Sequence, residues 1–343
     1  MGLELPYFTE EHRMLREMVS EFAANEIVPV AAELDHTGEF PATLVQQMAE
    51  LDLMGVPIPE EYGGAGMDTV AYALVVHELA IADASVAITL AAHTSLGTMP
   101  ILLFGSEEQK RKYLPLLAKG EILGALGLTE PGAGSDAGAT QTRAELKGDR
   151  YIINGQKSFI TNGGTAGVMA FTARLYENGE DRGITVFLTD TDTPGLRTGK
   201  PEKKMGWRAS DTRAIYFEDM ELTADNLLGV PGQGFRQVIQ ALAGGRISVG
   251  ALALGTADGA YRLARSYAHE REAFGQTIDR FQAIQFMLSD IATSLTAASH
   301  LVYHAAWLKD QGRSAAKEAA MAKLFASEVA LRSTSDAIQI HGG

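Results

Sequence analysis

Two changes of pattern divide the chain, and they limit its fold more than any single motif does. The first 120 residues read as helices, with start signals at Thr9-Glu10-Glu11 and in the capping box Ser106-Glu107-Glu108-Gln109. From Ile122 to about Glu218, short β-branched and aromatic runs alternate with turns and no helix lies between them. Helical spacing returns after Pro231. The pattern predicts a helical, a β and a second helical segment, in that order.

The β segment is predicted to be a small antiparallel structure. The dipeptide Asn154-Gly155 lies between two apolar runs and indicates a hairpin turn, because both residues tolerate positive φ. Further strands are predicted at Val168–Leu175, Gly183–Leu188 and Arg213–Phe217. Several short strands without intervening helices favour an antiparallel barrel or sandwich.

The last segment carries the stripe of a packed helix. Apolar residues recur at alternating spacings of four and three at Ile284, Leu288, Ile291, Leu295, Ala298, Val302 and Ala305. An alanine-rich stretch from Ala315 to Ile340 predicts another long helix. We therefore expect three domains, over residues 1–120, 121–230 and 231–343.

Composition excludes several classes of function. The 343 residues include 29 Lys and Arg against 43 Asp and Glu, and the net charge of −14 makes nucleic acid an unexpected partner. Without cysteine there is no disulfide framework, thiol nucleophile, zinc–thiolate cluster or iron–sulfur site. The N-terminus has no secretory pattern, and a cytoplasmic location is expected.

One segment is long and apolar enough to cross a bilayer. Residues 84–106 contain no Asp, Glu, Lys or Arg. They also include polar and helix-breaking residues, namely His93, Thr94, Ser95, Gly97, Thr98 and Pro100. We therefore expect a buried helix followed by a loop, and no stable membrane insertion.

Two patterns resemble binding motifs when each is taken alone. The run from Gly132 to Ala137 fits a G-x-G-x-x-A dinucleotide fingerprint, which requires a helix immediately afterwards. The sequence that follows predicts a strand, so a specific loop that binds an anion through backbone N–H groups is the better interpretation. His300 and His304 have the spacing of a metal pair, but no acidic ligand shares their face, and ordinary helix positions are favoured.

A glycine pair lies within a predicted helix. Gly244-Gly245 interrupts the helical stretch from Gly234 to Leu254, and each glycine costs roughly 1 kcal/mol relative to alanine. Either a ligand or another helix is expected to pack closely against that turn.

Motifs spread along almost the whole chain resemble those of the acyl-CoA dehydrogenases. They are Pro59-Glu60-Glu61-Tyr62-Gly63-Gly64, the run Leu128–Asp136, Ile153–Lys157, Phe159–Gly163, Lys204–Thr212, Arg271–Gly275, Phe281–Gln285 and Ala337–Gly343. The resemblance implies an N-terminal helical domain, a middle β-domain and a C-terminal four-helix bundle. It also implies FAD as cofactor, and a homotetramer built as a dimer of dimers.

The same resemblance assigns the site residues. Those that would line FAD are Leu126, Leu128, Thr129, Gly134, Ser135, Phe159, Ile160 and Thr161. Those that would hold the adenine and pyrophosphate of a neighbouring subunit's FAD are Arg271, Phe274, Gln282, Gln339, Gly342 and Gly343. Ser135 and Arg246 would contact the substrate.

The implied reaction is α,β-dehydrogenation of an acyl-CoA thioester to the trans-2-enoyl-CoA, as in fatty acid β-oxidation. A carboxylate would remove the α-proton, a hydride would leave the β-carbon, and electrons would pass to an electron-transferring flavoprotein. The usual glutamate base of the family would lie past Gly343, and Gly245 occupies the base position of one branch. The catalytic base is therefore not assigned.

Other departures from the family pattern leave alternatives open. Phe159 replaces the usual tryptophan at the flavin edge, and Ala243 stands where many relatives have an aspartate. The alternatives are a catalytically inactive relative that binds FAD and acyl-CoA, an oxidase-type relative, and a helical scaffold without cofactor. Gly245 resembles the short- and medium-chain branches, but the preferred acyl chain length is not fixed.

Overall fold

The computed structural model describes residues 5–342. Its first third is helical: α1 Glu10–Phe22, α2 Val28–Thr37, α3 Ala42–Glu50, α4 Thr69–Ala82, α5 Ala84–Ala92, α6 Met99–Phe104 and α7 Glu107–Ala118. The Thr9 and Ser106 side chains cap α1 and α7 by accepting bonds from the third backbone N–H of each helix, as predicted. The turns Ala23–Ile27 and His93–Thr98 are π-helical.

The middle of the chain forms strands β1 Leu123–Gly127, β2 Arg143–Lys147, β3 Arg150–Thr161, β4 Ala166–Glu177, β5 Glu180–Asp190, β6 Leu196–Pro201, β7 Thr212–Leu222 and β8 Leu227–Leu228. They make one sheet in the order β6-β7-β3-β2-β4-β5-β8, with β1 also paired to β4. The predicted antiparallel barrel or sandwich is wrong, because β1 and β2 both run parallel to β4 and the sheet is mixed and not a closed barrel. Phe171 stacks between Phe187 and Phe217 in its core.

The predicted hairpin turn at Asn154-Gly155 is also wrong. These residues lie inside the continuous strand β3, at a bulge opposite β7, and the β2–β3 turn is at Gly148-Asp149. The Asn154 amide exchanges two hydrogen bonds with Asp219, one to the carboxylate and one from the backbone N–H. A Cβ at residue 155 would lie 2.7 Å from the backbone of Thr142. Close approach of a neighbouring strand explains this glycine.

The C-terminal segment is built from the long helices α8 Gly234–Glu270, α9 Gln282–Asp310 and α10 Ala316–His341, with a small hairpin of β9 Glu272–Ala273 and β10 Gln276–Thr277. The apolar stripe predicted for α9 is confirmed, since Ile291, Leu295, Ala298, Val302 and Ala305 are buried. Within residues 231–342 there are three long helices, so the expected four-helix bundle is not confirmed.

The chain divides into two compact units. Unit 1 comprises Met1–Glu33, Asp68–Ile88 and Arg246–Gly343, and unit 2 comprises Leu34–Met67 and Thr89–Gly245. Two apolar helical stretches, Ala84–Phe104 and Gly234–Glu270, could span a membrane by length and composition. In the most apolar part of each, 72% and 61% of the residues are buried, which is typical of core helices.

Candidate functional site

In unit 2 the site begins where β1 ends. All five residues of β1 are buried, and Leu126 pairs with Ala170 of β4. The chain then enters the glycine loop, defined here as residues 128–136. Leu128 and Thr129 are half-buried at its start. The parallel pairing with β4 therefore places these two residues at the edge of the sheet core.

A buried ion pair holds the glycine loop. The Lys157 Nζ donates to Glu130 Oε1 at 2.6 Å, to Thr172 Oγ1 at 3.0 Å and to the Leu128 carbonyl at 3.3 Å. The Glu130 carboxylate also accepts bonds from the backbone N–H groups of Gln141 at 2.7 Å and Thr142 at 3.0 Å. The Lys157 and Glu130 side chains are only 0% and 4% exposed. This network joins the start of the glycine loop to β3, to β4 and to the residues just before β2.

Burial and ion pairing shift the pKa values of both Lys157 and Glu130. Burial lowers the pKa of Lys157 to about 8, although its bond to Glu130 acts in the opposite direction. For Glu130, burial is the largest cause and would raise the pKa, but the hydrogen bond and charge of Lys157 together with the bonds from Thr142 and Gln141 outweigh it, and the pKa falls below its usual value. Both groups are therefore charged at neutral pH, and a buried charge of either kind would be costly without its partner.

A bulge in β3 turns Phe159 outward. Lys157 pairs with Ile215 of β7 and Ile160 pairs with Arg213, so two residues of β3 face one residue of β7. Phe159 has a φ of 59° and is 65% exposed, whereas Ile160 is buried. The Ser158 N–H donates to the Thr129 carbonyl at 2.8 Å. The bulge thus holds an exposed aromatic ring close to the start of the glycine loop.

The rest of the glycine loop is open. Gly134, Ser135 and Asp136 are exposed, and a Cβ at Gly134 would have no neighbour within 4 Å. A 3₁₀ turn at Ala137–Ala139 leads into β2, so no helix begins there. The dinucleotide interpretation of this glycine motif fails for that reason, as the sequence predicted.

Asn162 fixes the end of β3. It has a φ of 60°, is fully buried and donates from Nδ2 to the Thr89 carbonyl at 3.2 Å. Its backbone N–H donates to the Asp211 carbonyl at 2.8 Å. Thr161, half-buried, immediately precedes it. A strained, anchored residue of this kind constrains the position of its neighbour.

The π-helical turn His93–Thr98 lies beside β1. Nδ1 of His93 accepts a bond from the Gly124 N–H at 3.1 Å, and burial lowers the pKa of this histidine to about 4. A Cβ on Gly245 would lie 3.6 Å from Ser95 Oγ and 3.8 Å from Leu96 Cδ2. Both distances are ordinary contacts, so the Gly244-Gly245 turn packs against this π turn without requiring glycine at residue 245.

In unit 1 a strained turn presents Phe274. The residues between β9 and β10 are Phe274 and Gly275, with φ values of 54° and 78°, and they form a two-residue hairpin loop. The Phe274 side chain is 96% exposed, and its ring meets Phe281 edge-on at 6.1 Å. Arg271 and Gln282 flank this hairpin and are exposed. A bulky residue with positive φ at a turn tip suggests a function for that side chain.

The end of α10 lies near the same hairpin. The His341 and Tyr267 rings stack at 4.5 Å, and the Tyr267 carbonyl accepts the Arg271 N–H at 2.8 Å. Gln339 is exposed, and Gly342 ends the helix with a φ of 85°. Gly343 lies outside the described residues. Unit 1 thus brings Arg271, Phe274, Gln282, Gln339 and Gly342 to one region, while half-buried Arg246 is elsewhere on α8.

Lys157, Glu130 and Asn162 are not predicted as site residues from the sequence, although all three lie inside the family motifs. The sequence signal was weak, because β3 also contains other polar residues, and only the structure shows that the charged Lys157 is fully buried.

Comparison with known proteins covers nearly the whole chain. Models of the acyl-CoA dehydrogenase N-terminal, middle and C-terminal domains match residues 9–121, 125–220 and 232–343. The probable acyl-CoA dehydrogenase YngJ of Bacillus subtilis (strain 168) is 52% identical over 344 residues, which span 100% of this chain and 90% of that protein.

Solved structures agree. The butyryl-CoA dehydrogenase of Megasphaera elsdenii superposes with a TM-score of 0.95 at 41% identity, covering 100% of this chain and 90% of that one. An acyl-CoA dehydrogenase of Bacillus anthracis complexed with FAD superposes with a TM-score of 0.92 at 37% identity, covering 99% and 62%. The chain described here belongs to the acyl-CoA dehydrogenase family.

Proposed function

We propose that this protein is an FAD-dependent dehydrogenase that converts a short-chain acyl-CoA thioester to the trans-2-enoyl-CoA. The observation that carries the proposal is the pairing of Thr129 with Ser158, which holds the exposed Phe159 ring beside the glycine loop in a member of this family. Butyryl-CoA is the substrate in the name of one superposed relative, and it is the first substrate to test.

The residues present fit FAD. Phe159 offers an exposed apolar face, Thr161 lies two residues further on, and the open glycine loop leaves room at Gly134 and Ser135. Leu126 and Ile160 are buried in the protein interior next to these residues. Aromatic faces and nearby hydrogen-bond donors suit a flat, polar-edged ring system. When bound, FAD supplies the acceptor for the hydride that leaves the substrate.

Unit 1 offers groups suited to the adenine and pyrophosphate of a neighbouring subunit's FAD. The Arg271 guanidinium can neutralise a pyrophosphate, which the net charge of −14 would otherwise repel. Phe274 presents a nearly fully exposed ring on which an adenine can stack. We assign Gln282, Gln339, Gly342 and Gly343 to the same role, as members of the same family motifs.

The reaction also requires a base. We propose that Ser135 and Arg246 contact the substrate. Half-buried Leu128 and the apolar residues around it would exclude water from the site. A carboxylate would remove the α-proton. Residue 245 is glycine and cannot be that base. The base is therefore not assigned to a residue of this sequence.

The same proposal includes partners. We assign an electron-transferring flavoprotein as the electron acceptor. We also propose that the protein assembles as a homotetramer in the cytoplasm. Self-association is supported by exposed apolar residues at seven-residue spacing on α10, namely Leu324, Leu331 and Ile338. Residues seven apart share one face of a helix, and such faces mark interaction sites.

The test is anaerobic mixing of the FAD-loaded gene product with butyryl-CoA. Loss of the visible flavin absorption, followed by its recovery with an artificial electron acceptor, supports the dehydrogenase. Reoxidation by oxygen with matching oxygen consumption would instead assign an oxidase. FAD binding without reduction by any acyl-CoA would identify a non-catalytic relative, and failure to bind FAD would overturn the proposal altogether.

A further inference from the structure

The orientation of one peptide in the glycine loop depends on a buried side chain. The Leu128 carbonyl points into the protein, where it accepts a bond from Lys157 Nζ at 3.3 Å. A peptide is planar and trans, so its C=O and the following N–H point in opposite directions. The Thr129 N–H therefore points away from Lys157, toward the outer side of the loop.

That N–H is free to bind a ligand. Among residues 5–342 the Thr129 N–H has no hydrogen-bond partner, whereas the Thr129 carbonyl accepts the Ser158 N–H at 2.8 Å. The next N–H, that of Glu130, donates to the Ala133 carbonyl at 3.0 Å. The Thr129 carbonyl and the Glu130 N–H are thus held by bonds within the protein, and the Thr129 N–H is the donor left facing outward.

We infer that Lys157 is a positioning residue that sets the direction of the Thr129 N–H in the cofactor site. The inference rests on the proposed function, which places FAD on the outer side of this loop. Lys157 lies too deep to contact a ligand, since its side chain is fully buried, so it acts through the Leu128 carbonyl.

Glu130 and Thr172 make this arrangement possible. An ammonium group has three donors, and the three acceptors here are Glu130 Oε1, Thr172 Oγ1 and the Leu128 carbonyl. The Glu130 carboxylate balances the charge and is itself held by two backbone N–H groups of residues 141 and 142. Because every donor has a partner, the ammonium is fixed in place, and the Leu128 carbonyl is held with it.

The test separates positioning from folding by using two variants. Lys157→Met removes the donor to Leu128 and leaves Glu130 as an uncompensated buried charge. The double variant Lys157→Met/Glu130→Gln also lacks that donor, but it has no unpaired charge, and the glutamine oxygen can still accept a backbone N–H. Both proteins are compared with wild type by thermal unfolding without FAD, by FAD affinity, and by the visible absorption spectrum of the bound flavin.

We expect the double variant to recover most of the unfolding temperature lost in Lys157→Met, because the buried charge is gone. Its FAD affinity should remain about tenfold below wild type, the effect of one misdirected hydrogen bond, with a shifted flavin spectrum. Thr172→Val is the matched control, since it removes a Lys157 acceptor outside the loop. It should lower the unfolding temperature and leave FAD affinity within about twofold of wild type.

Recovery of FAD affinity and spectrum together with stability in the double variant would overturn the inference and leave Lys157 a purely structural residue. If Lys157→Met fails to fold, the double variant carries the same comparison by itself. If wild-type protein does not bind FAD, the proposed function fails and this inference fails with it. Normal FAD binding by wild type and both variants would refute the inference alone.

Discussion

The Tyr303 hydroxyl lies 2.8 Å from Nδ1 of His77, in the buried interior of unit 1. Burial raises the pKa of Tyr303 well above its usual value and lowers the pKa of His77. The hydroxyl therefore donates to a neutral imidazole, whose other nitrogen, Nε2, lies 3.8 Å from Asp258 Oδ2. Together with the bonds from the Thr69 and Val70 N–H groups to the Asp310 carboxylate, this bond joins α4 to α9.

Tyr303→Phe should destabilise the protein by about 1–3 kcal/mol, because His77 Nδ1 is left buried without a donor. Urea unfolding monitored by circular dichroism measures the loss. Tyr151→Phe is the control, since the Tyr151 hydroxyl has no hydrogen-bond partner within residues 5–342, and it should change stability by less than about 0.5 kcal/mol. Equal effects of the two substitutions would contradict the assignment.

His93 should make unit 2 sensitive to acid. Its pKa of about 4 in the folded protein lies below the unfolded value of 6.5, so the unfolded chain binds more protons as the pH falls below 6.5. The stability is fully present above pH 6.5 and is lost as the pH falls toward 4, by about 2 kcal/mol between pH 7 and pH 5.

His93→Asn keeps an acceptor near the position of Nδ1 and cannot be protonated. Its unfolding free energy should be lower than that of wild type at pH 7, but it should fall less between pH 7 and pH 5. Parallel pH profiles for the two proteins would show that His93 is not the titrating group.

Phe274→Asn should stabilise the protein by roughly 0.5–1 kcal/mol without cofactor and weaken FAD binding. Asparagine tolerates positive φ in a two-residue hairpin loop far better than phenylalanine does. The chain contains its own example, since Asn178-Gly179 connects β4 to β5 with φ values of 51° and 82°. Thermal unfolding and FAD titration are the measurements, and tighter or unchanged FAD binding would contradict a cofactor role for Phe274.

Gly245→Glu should introduce a catalytic carboxylate. A Cβ there would make ordinary contacts of 3.6 Å with Ser95 Oγ and 3.8 Å with Leu96 Cδ2, so the first atom of the side chain needs no rearrangement. Replacing a helical glycine also favours the helix by up to about 1 kcal/mol. We expect faster bleaching of the flavin by butyryl-CoA than in Gly245→Gln, which matches the glutamate in shape and lacks its basicity. Equal rates in the two variants would place residue 245 away from the α-proton.

Local patterns predicted the helices well and the hairpins poorly. The caps at Thr9 and Ser106 are satisfied within one turn, so nearby residues determine them. A turn is predicted at Asn154-Gly155, whereas Asn178-Gly179, which has the same two residues, forms a turn. The difference lies in Asp219 of β7 and in Thr142, just before β2, which contact the first pair from outside β3.

The candidate site could likewise be predicted only in part from the sequence. Family motifs supplied Thr129, Phe159 and Thr161, but the parallel pairing of β1 with β4 that places the glycine loop is a long-range contact. The spacing of apolar residues along a strand does not distinguish a mixed sheet from an antiparallel barrel. Similarly, Lys157 is buried beside a partner that lies 27 residues away in the sequence, Glu130.

The parallel pairing of β1 and β2 with β4 has a consequence for the order of folding. β2 can pair with β3 before β4 exists, but β1 has no strand to pair with until Ala166–Glu177 has been synthesised. The glycine loop lies in the connection between β1 and β2, and the ends of that connection are held by the bonds from Glu130 to residues 141 and 142 and by the pairing of both strands with β4. The candidate site of unit 2 is therefore expected to form late, and nascent chains that stall before β4 would expose the apolar strand β1 to chaperones and proteases.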